Sequence, residues 1–310
     1  FDLASLTKPI ATATSVMVLV ERGLVRLRDP VAEHLPEFGT NGKEDITVEQ
    51  LLTHHGGLIP DNALADYESG EATAWKNIFA LSPQVPPGTA FKYTDVGFLV
   101  LAEIVHRITG QNVHEFSQQH IFGPLGMHDT GYVPPAALHD RTAPTELHEG
   151  QWLRGTVHDP RARLLGGIAG HAGLFSTADD LAIYAHMMLN GGAYDGTAIL
   201  APTTVGDMTR ARDVAGSLRG LGWDMRSGYS RNRGETFSDC AFGHGGFTGT
   251  VIWIDPKLDL FFIFLSNRLH PDGEGSVNDL AGRIATIAAS AIRRTEANIA
   301  APSADVKTGI

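Results

Sequence analysis

Cysteine is nearly absent: Cys240 stands alone among 310 residues. A lone thiol closes no internal disulfide and excludes zinc sites built from several thiolates. Positive charge is scarce as well, with 24 Lys and Arg against 35 Asp and Glu and a formal net charge of −11. A nucleic-acid surface needs clustered cations to displace counterions from phosphates, so no nucleic-acid partner is expected. Long apolar runs are missing. Thr12, Thr14 and Ser15 interrupt the best stretch, and Glu21 and Arg22 end it, so no transmembrane segment is expected. The absence of G-x-G-x-x-G and of a Walker lysine removes the common nucleotide sites, and the absence of a G-x-S-x-G elbow removes the α/β-hydrolases. None of the 14 histidines falls in an H-E-x-x-H pattern, and the adjacent His54-His55 pair is badly placed to chelate one ion from a single loop. No metal and no cofactor are expected.

What is present is a hydrophobic fraction of 43%, enough in a chain of this length for one large core. Residue 1 is Phe, and no charged and apolar leader precedes the first helical pattern. The end, from Ala300 to Ile310, is rich in Pro, Ser, Ala and Lys without an apolar period. Both ends read as those of a domain cut from a longer protein, with 1–298 as the domain and 299–310 as a linker to a further one. Helical patterns run over Ser5–Arg22, Ile46–Thr53, Phe98–Ile108 and Val113–Ile121, with Pro9 tolerated in a first turn. Ser176 or Thr177 caps a helix that ends at Asn190-Gly191-Gly192, and Asp179 and Asp180 in its first turn suggest a capping box. Gly249–Ile254 and Leu260–Leu265 are β-branched and aromatic around a polar turn, which predicts an antiparallel hairpin, and Val277–Arg293 returns to a helix. Trp223, Trp253 and Phe261–Phe264 read as core. The pattern predicts an α+β (α/β sandwich) class: an antiparallel sheet over roughly 218–298 flanked by helices, plus an all-helical subdomain inserted over roughly 30–200.

One of the six lysines, Lys8, stands three residues after Ser5 at a helix start. Residues i and i+3 share a helix face, so the amine can reach the hydroxyl, and a partly desolvated lysine can take a serine proton. Taken alone, the pair reads first as a cap serine with a solvated lysine. Tyr93-Thr94-Asp95 follows the polar Pro87-Gly88-Thr89 approach to a helix, and His244-Gly245-Gly246 enters the C-terminal hairpin, where glycines let a substrate approach a strand edge.

Ser-x-x-Lys, Tyr-x-Asn/Asp and Lys/His-x-Gly, in that order, is a three-motif layout that resembles the serine β-lactamase and penicillin-binding-protein superfamily. The likeness is to its class C branch, with the family VIII carboxylesterases and D-aminopeptidase-like hydrolases. Leu51-Leu52-Thr53-His54-His55-Gly56-Gly57-Leu58 resembles that branch's LLTHTSGL segment. Phe122-Gly123-Pro124-Leu125-Gly126-Met127 resembles its FxPLGM element, and Gly170-His171-Ala172-Gly173-Leu174-Phe175-Ser176-Thr177 its AGGLxST segment. The stretch from Val157 to His171 and the tail Val306–Ile310 resemble domains fused to glycosidases of cell-wall recycling.

The resemblance implies a β-lactamase/transpeptidase-like fold whose first helix and strands lie before residue 1, leaving a sheet edge and an apolar face uncovered. It implies Ser5 as the acylating nucleophile, with its N–H and that of Phe247 as oxyanion hole. Lys8 and Tyr93 would be the general-base pair, with Asp95 beside Lys8. His244, Gly245 and Gly246 would lie along the substrate, and His171 either touches substrate or braces a loop. It also implies a small ester, lactam or peptidoglycan-fragment substrate and a periplasmic or secreted place in a bacterium. Two departures matter. His244 stands where the β-lactamases carry Lys, and Asp95 where they carry Asn. A histidine charged only part of the time, with an added carboxylate, disfavours an anionic substrate. Carboxylesterase activity is therefore expected first, with β-lactamase or D-amino-acid peptidase activity, or a catalytically silent binding domain, as alternatives.

Overall fold

The computed structural model describes residues 1–292. The predicted helix end at Arg293, the domain boundary at 298, the linker 299–310 and the Val306–Ile310 tail lie outside the described residues. The first helix, α1, is composite: a 3-10 turn at Ala4–Leu6, a π-helical stretch at Lys8–Ala13 and an α-helix at Thr14–Glu21. Pro9 sits in the first turn of the π stretch, where its missing N–H costs nothing. Two of the polar residues that interrupt this segment, Thr12 and Thr14, are buried and bonded across the core. Thr12 donates to the Gly170 carbonyl (2.7 Å) and Thr14 meets the Tyr184 hydroxyl (2.8 Å). Helix α2, Asp95–Thr109, starts at a Thr94 cap and stops at a left-handed Gly110, as helices closed by a C-terminal glycine do. Its start lies three residues before the predicted one, which puts Asp95 on the first turn. Helix α3, Ala178–Leu189, is capped by Thr177, whose side chain accepts the Asp180 N–H. The capping box is not made. The Asp180 carboxylate turns away to accept from the Asp129 N–H (2.9 Å) and Thr130 hydroxyl (2.8 Å), tying the helix to a neighbouring loop instead.

Six antiparallel strands form the sheet: β1 (Arg212–Val214), β2 (Ser217–Arg219), β3 (Asp224–Arg226), β4 (Phe242–Gly245), β5 (Thr250–Asp255) and β6 (Leu260–Leu265). They lie side by side in chain order, from β6 at one edge to β1 at the other. The predicted β5–β6 hairpin is present, with Trp253 opposite Phe262 and Ile252 opposite Ile263. Side chains alternate between two faces. Ile252 and Ile254 join the main core with α1 and α3, whereas Val251, Trp253 and Phe262 pack with Ala281, Ala285 and Ala289 of α4 (Asn278–Ala291). The result is helices on both sides of an antiparallel sheet, the α/β sandwich expected. Trp223 and Trp253 are fully buried. Strand β6 is an edge, and Leu280, Ile284 and Ile287 of α4 are exposed. No helix among the described residues is long and apolar enough to cross a membrane.

Two expectations are corrected. The sheet begins at Arg212 rather than near 218, and the inserted region is not all-helical. It carries the two-stranded pairs Gly131–Tyr132 with Leu174–Phe175, Leu147–His148 with Gln151–Trp152, and Ala193–Tyr194 with Thr197–Ala198. The first of these pairs joins segments distant in the sequence; for the other two, and for β1–β2, the cause is turn chemistry. Glu149-Gly150, Asp195-Gly196 and Ala215-Gly216 each place two consecutive residues at positive φ, the geometry of a two-residue hairpin loop whose twist matches the strands it joins.

Candidate active site

Ser5 lies on the opening 3-10 turn, directly after a strained residue: Ala4 has φ +46°, a left-handed value unfavourable for a residue with a Cβ. Its surroundings hold it there. The buried Asp2 carboxylate accepts the Ala4 N–H (2.8 Å) and the His158 N–H (2.7 Å). Thr248 and Thr250, flanking the β4–β5 turn, donate to the carbonyls of Asp2 (2.7 Å) and Leu3 (3.0 Å). The sheet therefore fixes the turn that carries Ser5. The glycines of the β4 edge serve this packing and not only a substrate's approach. A Cβ on Gly246 would meet Thr250 Oγ1 and come within 2.5 Å of the Leu3 carbonyl, and one on Gly245 would meet Asn232 Nδ2. Gly246→Ala is expected to cost about 1–3 kcal/mol of stability by overpacking and to lower kcat by moving Leu3. Urea melts together with steady-state rates check this, and an unchanged midpoint with an unchanged kcat would refute it.

Lys8 is fully buried, and its Nζ lies 2.9 Å from Ser5 Oγ, 2.6 Å from Asp95 Oδ1 and 3.2 Å from the His171 carbonyl. The i, i+3 spacing thus does what helix geometry allows. Burial works against the charge on Lys8, but the Asp95 carboxylate and the Tyr93 phenol outweigh it and hold the amine above its ordinary range. Asp95 stands behind this lysine and is not among the residues lining the cleft. His171, expected either at the substrate or bracing a loop, is buried and also outside the cleft lining. Its Nε2 is 2.9 Å from Asp159 Oδ1. Burial disfavours the imidazolium, yet Asp159 prevails and raises its pKa; Asp159, its own burial opposed chiefly by His171, is held low. The contact of His171 with the site is through the carbonyl that accepts Lys8. Asp95, Asp159 and His171 bring possible metal-ligand atoms within 4.8 Å of one another. Lys8 and the His171–Asp159 pair already satisfy those atoms, and the ammonium would repel a cation there.

The Tyr93 ring lies within 4.9 Å of Lys8 Nζ and sits in an aromatic stack, 4.3 Å from His54, 5.0 Å from Tyr229 and 6.0 Å from His244. Burial pushes its phenol up, the Lys8 ammonium draws it back, and Asp95 pushes it up again, leaving it above the ordinary value. His244 pairs across the ladder with Ile252 and so points to the face that carries α1. Its Nδ1 lies 2.8 Å from the Gly245 carbonyl, which makes Nδ1 the protonated nitrogen. Burial, then the charges of Arg219 and Lys8, push its pKa well down. His244 is therefore a neutral residue, where the sequence suggested a partly charged one.

Ser5, Tyr93, His244, Gly245, Gly246 and Phe247 line one cleft of about 210 Å³, so the sequence-predicted residues meet in one place, with Lys8 beneath them. The N–H groups of Ser5 and Phe247 make no hydrogen bond within the protein among the described residues, as donors reserved for an oxyanion would. Sequence reasoning missed Arg219, Asp224, Tyr229, Asn232 and Asn278, which also line it. Arg219 and Asp224 face each other across β2 and β3 as a buried ion pair (2.9 Å), and the guanidinium lies 5.3 Å from the Phe91 ring. A charged residue on each side of the apolar Leu221-Gly222-Trp223 was the available signal.

Comparison with known proteins agrees with this arrangement. The profile of the family described as Beta-lactamase matches residues 1–286. A Salmonella agona protein named "Putative D-alanyl-D-alanine carboxypeptidase" is 31% identical over 301 residues, covering 87% of this chain and 69% of its own. Among solved structures, a family VIII carboxylesterase matches with a TM-score of 0.73 at 25% identity, over 93% of this chain and 83% of that one. A β-lactamase from Mycobacterium bovis matches with a TM-score of 0.64 at 25% identity, over 94% and 86%. With its profile matched along nearly the whole chain, this protein belongs to the Beta-lactamase family, and is a serine hydrolase of the β-lactamase and penicillin-binding-protein type.

Proposed function

We propose that the protein is a carboxylesterase that forms an acyl-enzyme on Ser5 and favours substrates without a carboxylate beside the scissile bond. The observation that carries the preference is the state of the cations around the cleft. Lys8 is paired with Asp95, Arg219 with Asp224, and His244 is neutral. A substrate carboxylate thus finds no unpaired cation among the described lining residues and meets the Asp224 carboxylate in that lining. In the first half-reaction Ser5 Oγ attacks the ester carbonyl carbon while its proton passes to the Tyr93 oxygen, which Lys8 steadies as phenolate. The carbonyl oxygen becomes an oxyanion on the N–H groups of Ser5 and Phe247. Collapse breaks the C–O bond to the alcohol, which leaves with the proton from Tyr93. Water then repeats the sequence on the acyl-Ser5 ester, releasing the acid.

A second reading, D-alanyl carboxypeptidase activity, is favoured by the Salmonella agona relative's name and by Arg219, whose nitrogens make no well-aligned hydrogen bond in the cleft floor. The two readings separate in parallel assays on p-nitrophenyl butyrate, nitrocefin and a peptide ending in D-alanyl-D-alanine. The ester is expected to lead by at least about 100-fold in kcat/KM. His244→Lys is expected to narrow the gap about tenfold, the scale of one charge-assisted hydrogen bond. Faster peptide or nitrocefin turnover in the unmodified protein would move the second reading to the front.

A further inference from the structure

His54 follows the short helix Val48–Leu52, is fully buried, and has φ +58°, a left-handed value uncommon for residues with a side chain though one that histidine tolerates. It grips three consecutive residues at once. Its carbonyl accepts the Lys92 N–H (2.9 Å), its ring lies 4.3 Å from the Tyr93 ring at 31°, and its Nδ1 accepts the Thr94 N–H (3.1 Å). Phe98 of α2 closes on the imidazole at 5.1 Å, and Phe91 meets it edge-on at 6.2 Å. We propose that His54 is the positioning residue that fixes the Tyr93 phenol against Ser5 and Lys8. This rests on the reading of Tyr93 as the proton acceptor.

The chemistry requires a neutral ring. An Nδ1 that accepts from a backbone N–H carries no proton, so the ring proton is on Nε2, and an imidazolium would set donor against donor. Burial enforces this state, with the positive charges of Arg219 and Lys8 acting in the same direction. His54 therefore does not compete for the proton that moves among Ser5, Tyr93 and Lys8. It acts through geometry, and a displacement of about 1 Å at a reacting group costs on the order of 100-fold.

His54→Asn is the informative variant. Asparagine tolerates the left-handed backbone and offers an oxygen close to the Nδ1 position for the Thr94 N–H, but it removes the stacked ring. On p-nitrophenyl butyrate, kcat is expected to fall about 10–100-fold with KM within about twofold. The decisive arm is the cycle with Tyr93→Phe. Once the phenol is gone there is nothing left to position, so the double variant is expected to match Tyr93→Phe alone. Losses that multiply, a loss confined to KM, or unchanged kcat in His54→Asn would overturn the proposal while leaving the Tyr93 reading intact. An active Tyr93→Phe would instead remove the reading, and the proposal with it. If His54→Asn does not fold, nitrogen NMR of the unmodified protein decides. An unprotonated Nδ1 and protonated Nε2 from pH 5 to 9 are expected, and a His54 that titrates in that window overturns the assignment.

Discussion

Ser5→Ala is expected to lower kcat on p-nitrophenyl butyrate by about 10⁴–10⁶-fold, the scale of losing the nucleophile from an acyl-transfer site. It should also abolish covalent labelling by a serine-directed phosphonate, which the unmodified protein takes up once per chain. The size of the effect follows from the lack of a substitute. Thr7, Thr12 and Thr14 lie on the same helix, but Thr7 accepts the Leu174 N–H and the other two are engaged with Gly170 and Tyr184, all buried away from the cleft. The fold should survive, because Ser5 Oγ is engaged by Lys8 and Tyr93, which belong to the site itself, and Lys8 keeps Asp95 and the His171 carbonyl. Intact-mass measurement and a thermal melt on the same samples make the test clean. Labelling that persists in a folded Ser5→Ala protein, or turnover within about tenfold of the unmodified protein, would place the nucleophile elsewhere.

The parts of this site that could be read from the sequence are those whose geometry is local or whose motif is contiguous. Ser5 and Lys8 meet because three residues along a helix return to one face. The β5–β6 hairpin followed from β-branched alternation around a polar turn, and Tyr93, Asp95 and His244 from the order of short motifs. What escaped was set by tertiary approach. The Arg219–Asp224 pair arises from a short hairpin with a register shift at Leu218, and two charges flanking an apolar triplet announce a turn more readily than a cleft. His54 was legible only as part of a resembling segment, because its stack on Tyr93 depends on a left-handed turn that delivers the ring into the core. Charge states were the least legible. A histidine on a strand suggests partial protonation, and only burial with two nearby cations makes His244 neutral. The missed hairpins are a different failure. Asp195-Gly196 was a usable signal, masked by the adjacent Asn190-Gly191-Gly192 helix end.

Tyr93→Phe is expected to lower kcat/KM by about 10²–10⁴-fold, the span of a general base, and to flatten the pH dependence. The sign follows from the groups that face the phenol: Lys8 and Ser5 on α1, Asp95 on α2, His54 on the loop after Val48–Leu52, His244 on β4 and Tyr229 after β3. Lys8 is held charged above its ordinary range by Asp95, so it is no free base at neutral pH. Tyr93, pushed up by burial, rests protonated there as well. The phenolate fraction then grows about tenfold for each pH unit below the phenol's pKa, and kcat/KM should climb with it on the alkaline side of neutral. In Tyr93→Phe that climb disappears. In Lys8→Met it persists but moves to higher pH, because the cation that opposes burial at Tyr93 is gone. A Tyr93→Phe enzyme that keeps the climb would assign it to another group, and Lys8, released from its ion pair with Asp95 during turnover, would be the group to test next through Asp95→Asn. Asp95 raises both pKa values, so this variant is made in the Tyr93→Phe background. There, with its counter-charge removed, burial lowers the Lys8 pKa, and the retained climb shifts to lower pH if the amine is the base.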